Sequence, residues 1–251
     1  HKEYVANFRE IPREFVFIER IPKNTMGKNS ESLIDPDFST SETYYVDVKE
    51  NNMKVIDFSQ TNSILNQYVS EIRNVEVQND RLRFRRNIER IGEIMAYEMS
   101  KELTYSVKQV QTPLGVASVS TPDDEVVIAT VFRAGLPLHT GFLNMFDHAG
   151  NAFVSAYRYY KDKECRTVDV HIEYIATPDL SKKTLLIVDP MLATGESMEL
   201  AWKAFVTKGM PARLQIACVI ASQQGVEHLE KLFPGDEVTL WCAAIDPEMN
   251  E

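Results

Sequence analysis

Hydrophobic positions recur along this chain with two periods, and the switches between them lay out the elements. Residues 62–74, NSILNQYVSEIRN, set Ile64, Leu65, Tyr68, Val69 and Ile72 three or four apart, the spacing of one helical face. Residues 79–102 carry Leu82, Phe84, Ile88, Ile91, Ile94, Met95 and Met99, which predicts a long amphipathic helix with Asn79 or Asp80 as its N-cap. Strict alternation follows in SVKQVQTPLGVASVS, a hairpin turning at Pro113 and Gly115. EVVIATVF (125–132) is unbroken and β-branched, as a strand buried on both faces must be. RAGLPLHTGFLNMF predicts a helix, and AFVSAYRYY and VDVHIEYIAT two more strands. KTLLIVDP (183–190) is a further buried strand, and MLATGESMELAWKAFVTKG a loop and helix closed by Gly209. RLQIACVIAS (213–222), GVEHLEKLF and EVTLWCAAID predict strand, helix and strand. Such alternation predicts an α/β fold: a mainly parallel central sheet flanked by helices.

Residues 1–52 break this regularity. Their middle is rich in Ser, Asn, Asp and Thr without either period, which reads as loop. Regular patterning begins at Met53, where KVIDF is a short strand or extended approach. The expected division is an N-terminal extension, 1–52, and one large domain, 53–251, with no internal repeat.

Composition narrows the function classes. Of 251 residues 44% are apolar and 25% charged, which excludes a disordered or fibrous chain. No stretch approaches the roughly 20 apolar residues of a membrane helix. HKEYVANFRE shows no secretory pattern, although an upstream segment could precede His1. A net charge of −10 argues against nucleic acid as a partner. Arg81, Arg83, Arg85, Arg86 and Arg90 cluster, but Glu89 and Glu93 stand close by, so an ion-paired helix face is expected. Cys165, Cys218 and Cys242 form no CxxC pair and are expected to be reduced thiols of a cytoplasmic protein. His1, His139, His148, His171 and His228 form no ligand spacing for zinc, and His139 reads as an ordinary helix-end histidine.

The chemistry concentrates in LLIVDPMLATGES, residues 185–197. A buried strand ends on Asp189, a short loop follows, and ATGES opens a helix. The first turn of a helix presents unpaired N–H groups and partial positive charge, which suit a phosphate. Gly195 lets the backbone approach the anion, and Thr194 and Ser197 can donate from their hydroxyls. Asp189, at the carboxyl end of its strand, can accept hydrogen bonds from sugar hydroxyls. A ribose bearing a 5′-phosphate fits such a loop.

This segment resembles the 5-phosphoribosyl-1-pyrophosphate (PRPP) loop of type I phosphoribosyltransferases. With Pro190 after Asp189, DPMLATG resembles the uracil phosphoribosyltransferase family in particular. VFRAGLPLHTG (131–141), AYRYY (156–160), WCAAIDPEMNE (241–251) and the helix RFRRNIERIGEIMAYE extend the likeness over roughly Met53 to Glu251. The resemblance implies a type I phosphoribosyltransferase fold with a small β-rich flap, at about 105–120 and 152–178, and transfer of phosphoribose from PRPP to uracil. By position it makes Asp189 the ribose-hydroxyl ligand, Pro190, Met191 and Leu192 further PRPP-binding residues, and Ala193, Thr194, Gly195, Glu196 and Ser197 the 5′-phosphate cradle. It places pyrophosphate on Arg133 and the Ala134–Gly135 backbone, with Arg158 reaching from the flap. It also implies Mg²⁺ held mainly by PRPP itself. Separately, the exposed apolar face expected of the 62–102 helices points to a homodimer or larger homo-oligomer.

Two features depart from the family pattern. Glu196 stands where glycine is usual, and is expected to turn its carboxylate to solvent while its N–H serves the phosphate. The family continues beyond this sequence's Glu251 with a Gly-rich, Gly-Asp-Ala segment that recognises uracil; we expect the sequence to stop short of it. Separately, IPREFVFIERIPKNTMGK resembles the C-terminal lysine motif of acyl-adenylating enzymes, with Lys28 as its lysine, and reads as a non-catalytic extension or fusion remnant. The rivals to uracil transfer are a non-catalytic PRPP-binding regulator and transfer to another base.

Overall fold

The structure, a computed structural model, describes residues 4–6, 44–46, 53–160, 168–235 and 237–247. The chain divides into two units, His1–Asn51 and Asn52–Glu251. In the first, strands β1 (Tyr4–Ala6) and β2 (Tyr44–Val46) pair antiparallel. Lys28 and the adenylation-like segment lie outside the described residues.

The second unit holds the remaining elements. They are β3 (Lys54–Asp57), α1 (Ile64–Arg73), α2 (Arg81–Ser100), β4 (Tyr105–Thr112), β5 (Gly115–Pro122), β6 (Val126–Val131) and α3 (Leu136–Met145). There follow β7 (Gly150–Tyr160), β8 (Val168–Ala176), β9 (Thr184–Val188), β10 (Met191–Leu192), α4 (Glu196–Phe205), β11 (Arg213–Ser222), α5 (Gln223–Leu232) and β12 (Val238–Asp246). The central sheet runs β3-β12-β11-β9-β6-β7-β8, with β10 also on β11. Every pairing in it is parallel except β7 with β8.

The period of two explains the layering. Leu185 and Ile187 of β9 face one way and join Met198, Ala201, Phe205, Val226 and Leu229 of α4 and α5. Leu186 and Val188 face the other way and join Leu65, Ile91, Met95, Leu138 and Phe142 of α1, α2 and α3. Strands with a core on both sides carry no polar face, which is why their sequences run unbroken. Asp80 caps α2, accepting from the N–H groups of Leu82 and Arg83, and so decides between the two expected caps.

The arginine face of α2 is ion-paired only in part: among the described residues Arg83 and Arg86 meet carboxylates, while Arg90 bonds Asn87 and lies over the Tyr68 ring. Arg86 meets Glu89 at 2.5 Å, but Arg83 meets Glu71 of α1 at 3.2 Å, and Asn144 of α3 takes Glu93 at 2.7 Å. Gln67, Asn87 and Arg83 together pull the Glu71 carboxyl down to about 2.

The flap expectation needs one revision. The 105–122 hairpin stands apart as its own two-stranded sheet, β4 with β5. The 152–178 segment does not: residues 150–154 of β7 pair with β6 inside the central sheet. Only past Val154, where β6 has ended at Val131, do β7 and β8 run on as a two-stranded ribbon. One strand thus serves both core and ribbon, and local periodicity cannot separate the two roles.

Candidate functional site at the carboxyl ends of the central strands

Three neighbouring strands, β6, β9 and β11, end on the same edge because they are parallel. Ligands of open α/β sheets bind there. The loop after β9 is fastened to β11 along its length. Asp189 N–H donates to Ala217 O at 3.1 Å, and Pro190 O accepts from Val219 N–H at 3.1 Å and Ile220 N–H at 3.0 Å. Met191 and Leu192 then pair with Ile220 and Ala221. Proline lacks an N–H, yet its carbonyl carries this junction.

Asp189 is half-buried. Burial pushes its carboxyl up to about 7, although the Met191 N–H bond to it works in the opposite direction. Ala193 and Ser197 are exposed, Thr194 half-buried and Gly195 buried. Gly195 has φ +80° and caps α4 with no side chain, and the first amides of a helix have no partner within the helix itself. Glu196 is half-buried at the first helical position rather than turned fully to solvent.

The turn after β6 lies beside this loop, since Thr130 and Val188 are register partners. Arg133 and Ala134 are exposed and Gly135 is buried. The Phe132–Arg133 peptide is cis. Phe132 stacks on Phe153 with centroids 5.0 Å apart, and its N–H donates to Val154 O at 2.8 Å. The Arg133 guanidinium has no hydrogen bond or ion pair among the described residues. Arg158 lies on the ribbon, opposite Val170.

A residue that sequence reasoning passed over joins the two loops. Thr130 is fully buried, and its Oγ1 donates to Val188 O at 2.8 Å. A Cβ on Gly135 would run into that same oxygen, so the turn closes directly over Thr130. The available signal was one hydroxyl near the end of an apolar run. Thr130→Val keeps the shape and removes the hydroxyl's bond to the Val188 carbonyl, which costs about 0.5–1.5 kcal/mol. We expect that loss in denaturant midpoints, together with a raised KM for the ligand of both loops.

The family model described as uracil phosphoribosyltransferase matches residues 59–251. The chain belongs to that family. A uracil phosphoribosyltransferase of Porphyromonas gingivalis is 59% identical over 199 residues, covering 79% of this chain and 91% of the relative. One from Pyrobaculum arsenaticum is 36% identical, covering 68% and 80% respectively. Among solved structures, the AQ2163 protein of Aquifex aeolicus superimposes with TM-score 0.67 at 25% identity, over 78% of this chain and 89% of its own.

Other expectations fall into place around this family site. His139 is buried, its Nε2 2.7 Å from Asn151 Oδ1 and its ring 5.0 Å from that of Phe153. Burial lowers its pKa, so it is a neutral packing residue. Cys218 and Cys242 are free, buried and in register across β11 and β12, with sulfurs 3.3 Å apart. The Cys242 hydrogen bond and burial push the Cys218 thiol up, so it stays protonated. Cys165 lies outside the described residues. Among the described residues no helix is long and apolar enough to cross a membrane.

Proposed function

We propose that this chain transfers the 5-phosphoribosyl group of PRPP to uracil, forming UMP and pyrophosphate in pyrimidine salvage. The observation that carries this reading is the pair of loops joined through Thr130: an acid at a strand end before a helix that no side chain caps, beside a turn whose exposed arginine has no partner among the described residues. Asp189 accepts from the ribose hydroxyls. The amides of residues 193–197, with the Thr194 and Ser197 hydroxyls, hold the 5′-phosphate. Arg133 and the Ala134–Gly135 backbone hold pyrophosphate, and Arg158 approaches it from the ribbon.

The chemistry asks for little else. Uracil N1 bonds to ribose C1 as the C1–oxygen bond to pyrophosphate breaks, and the N1 proton passes to solvent. The transition state places positive charge on the ribose and negative charge on the leaving group, where arginine guanidinium groups stabilise it. Among the described residues no three of His, Cys, Asp and Glu converge as a metal site. A lone Asp189 beside phosphate-binding loops suits a Mg²⁺ that arrives on PRPP, since Mg²⁺ favours phosphate oxygens, water and one or two carboxylates. When bound, it neutralises pyrophosphate charge.

We place the enzyme in the cytoplasm, where adjacent thiols such as Cys218 and Cys242 stay reduced. We also read it as a homodimer or larger homo-oligomer. Val107, Leu114 and Val116 of the hairpin, and Leu82 and Tyr97 of α2, are exposed. An isolated two-stranded hairpin is marginal in water and gains by packing on a second copy.

The test is a UMP-forming assay with PRPP, Mg²⁺ and uracil, other bases run in parallel. UMP from uracil alone is the expected result. Saturable PRPP binding without product from any base would overturn transfer and leave a regulator.

A further inference from the structure

Helix α5 belongs to none of the roles above, yet it forms the back wall of the 192–195 loop. Ser222, its N-cap, donates from Oγ to Ala193 O at 2.5 Å and accepts from Gly225 N–H at 3.0 Å. A Cβ at Gly225 would stand 2.7 Å from Ala193 O and 2.9 Å from Leu192 O, so the helix lies directly against the loop backbone. Three residues further on, His228 closes the arrangement. Its Cδ2, Cβ and Cγ are 2.8, 3.1 and 3.1 Å from where a Gly195 Cβ would be. The ring therefore rests against the one residue of the cradle held at φ +80°. Its Nε2 is 2.7 Å from Glu199 Oε2, in the first turn of α4, and Lys203 holds the other Glu199 oxygen at 2.6 Å. One imidazole thus touches the turn glycine and is tied to the helix whose amides that turn presents.

We propose that His228 is a positioning residue for the 5′-phosphate cradle, holding Gly195 against α4 so that the open amides keep a common aim. The side chain is about one-third exposed (34%), so shortening it opens no sealed core cavity. A glycine turn without a wall gains conformational freedom that ligand binding must then remove. Loss of the ring therefore weakens the ligand arm that this cradle holds and spares the other arm.

This inference rests on reading residues 193–197 as the phosphate cradle, and the experiment separates the two. Ribose 5-phosphate and inorganic pyrophosphate are titrated separately into wild type, His228→Ala and His228→Phe by calorimetry, with melting curves and PRPP kinetics. For His228→Ala we expect ribose 5-phosphate to bind about tenfold more weakly, pyrophosphate within about twofold of wild type, and KM for PRPP to rise with kcat nearly unchanged. His228→Phe keeps a ring against Gly195 and loses the Glu199 bond, so it falls between the two; it carries the test if the alanine variant does not fold. Ribose 5-phosphate affinity unchanged in both variants overturns the inference. Equal weakening of both ligands with a lowered Tm also overturns it, because that is a general loss of structure. Wild type that binds pyrophosphate but not ribose 5-phosphate overturns the cradle reading, and this inference with it.

Discussion

Arg133→Ala is expected to lower kcat/KM for PRPP by about 30- to 1000-fold, or ~2–4 kcal/mol of transition-state stabilisation. The guanidinium is exposed and has no partner among the described residues, so no described contact depends on its charge. The turn that carries it is held by other groups: Phe132 on Phe153, and Gly135 over Thr130. The alanine variant should therefore melt within a degree or two of wild type, leaving the kinetic loss as a reading of charge alone. Arg133→Lys tests the geometry as well. Lysine restores a point charge without the planar fork, so it recovers only part of the rate. Steady-state kinetics on the three proteins decide the matter; an alanine effect under threefold removes Arg133 from the reaction.

The two loops differ in how clearly the sequence announces them, and the reason is physical. The β9 loop is written locally: an unbroken strand, an acid, a proline and a glycine before a helix. Each of those residues meets its constraint within a few positions. What fastens the loop is written elsewhere. Ala217, Val219 and Ile220 hold it through backbone atoms, which leave no trace in side-chain identity. Thr130, Ser222 and Gly225 act across 58, 29 and about 32 residues, and each looks ordinary in its own window. The same limit explains the ribbon. AFVSAYRYY has one period throughout, but its first half pairs with β6 and its second half only with β8. Where a neighbouring strand stops is a property of the sheet. Glu71 likewise completes the arginine face of α2 from a different helix, at a spacing that local counting of i,i+4 partners does not reach.

Asp189→Asn is expected to do two opposite things. Activity falls, because an amide is a poorer acceptor for ribose hydroxyls than a carboxylate and that contact persists into the transition state; PRPP affinity and turnover should drop together. The ligand-free protein, by contrast, becomes more stable. Burial holds the Asp189 carboxyl at about 7 against an ordinary 3.8, so the folded state binds its proton more tightly than the unfolded state does. Below about pH 4 both states are protonated and the group has no effect on stability. Between pH 4 and 7 the unfolded chain ionises first, and stability falls as pH rises. Above pH 7 the full penalty is in place, on the order of 4 kcal/mol at about 1.4 kcal/mol per pKa unit. Asparagine has no such penalty. Denaturant unfolding of the two proteins should coincide near pH 4 and diverge toward pH 8, the variant being the more stable; equal stability at pH 8 would sink the burial argument. Kinetics supply a second reading of the same group. Dividing the wild-type kcat/KM by that of the variant cancels the titration of PRPP itself, and the ratio should rise through about pH 7. A flat ratio would leave Asp189 outside the substrate contacts. The carboxylate that weakens the empty fold is the one the ribose hydroxyls require, so substrate binding offsets a cost already built into the ligand-free protein.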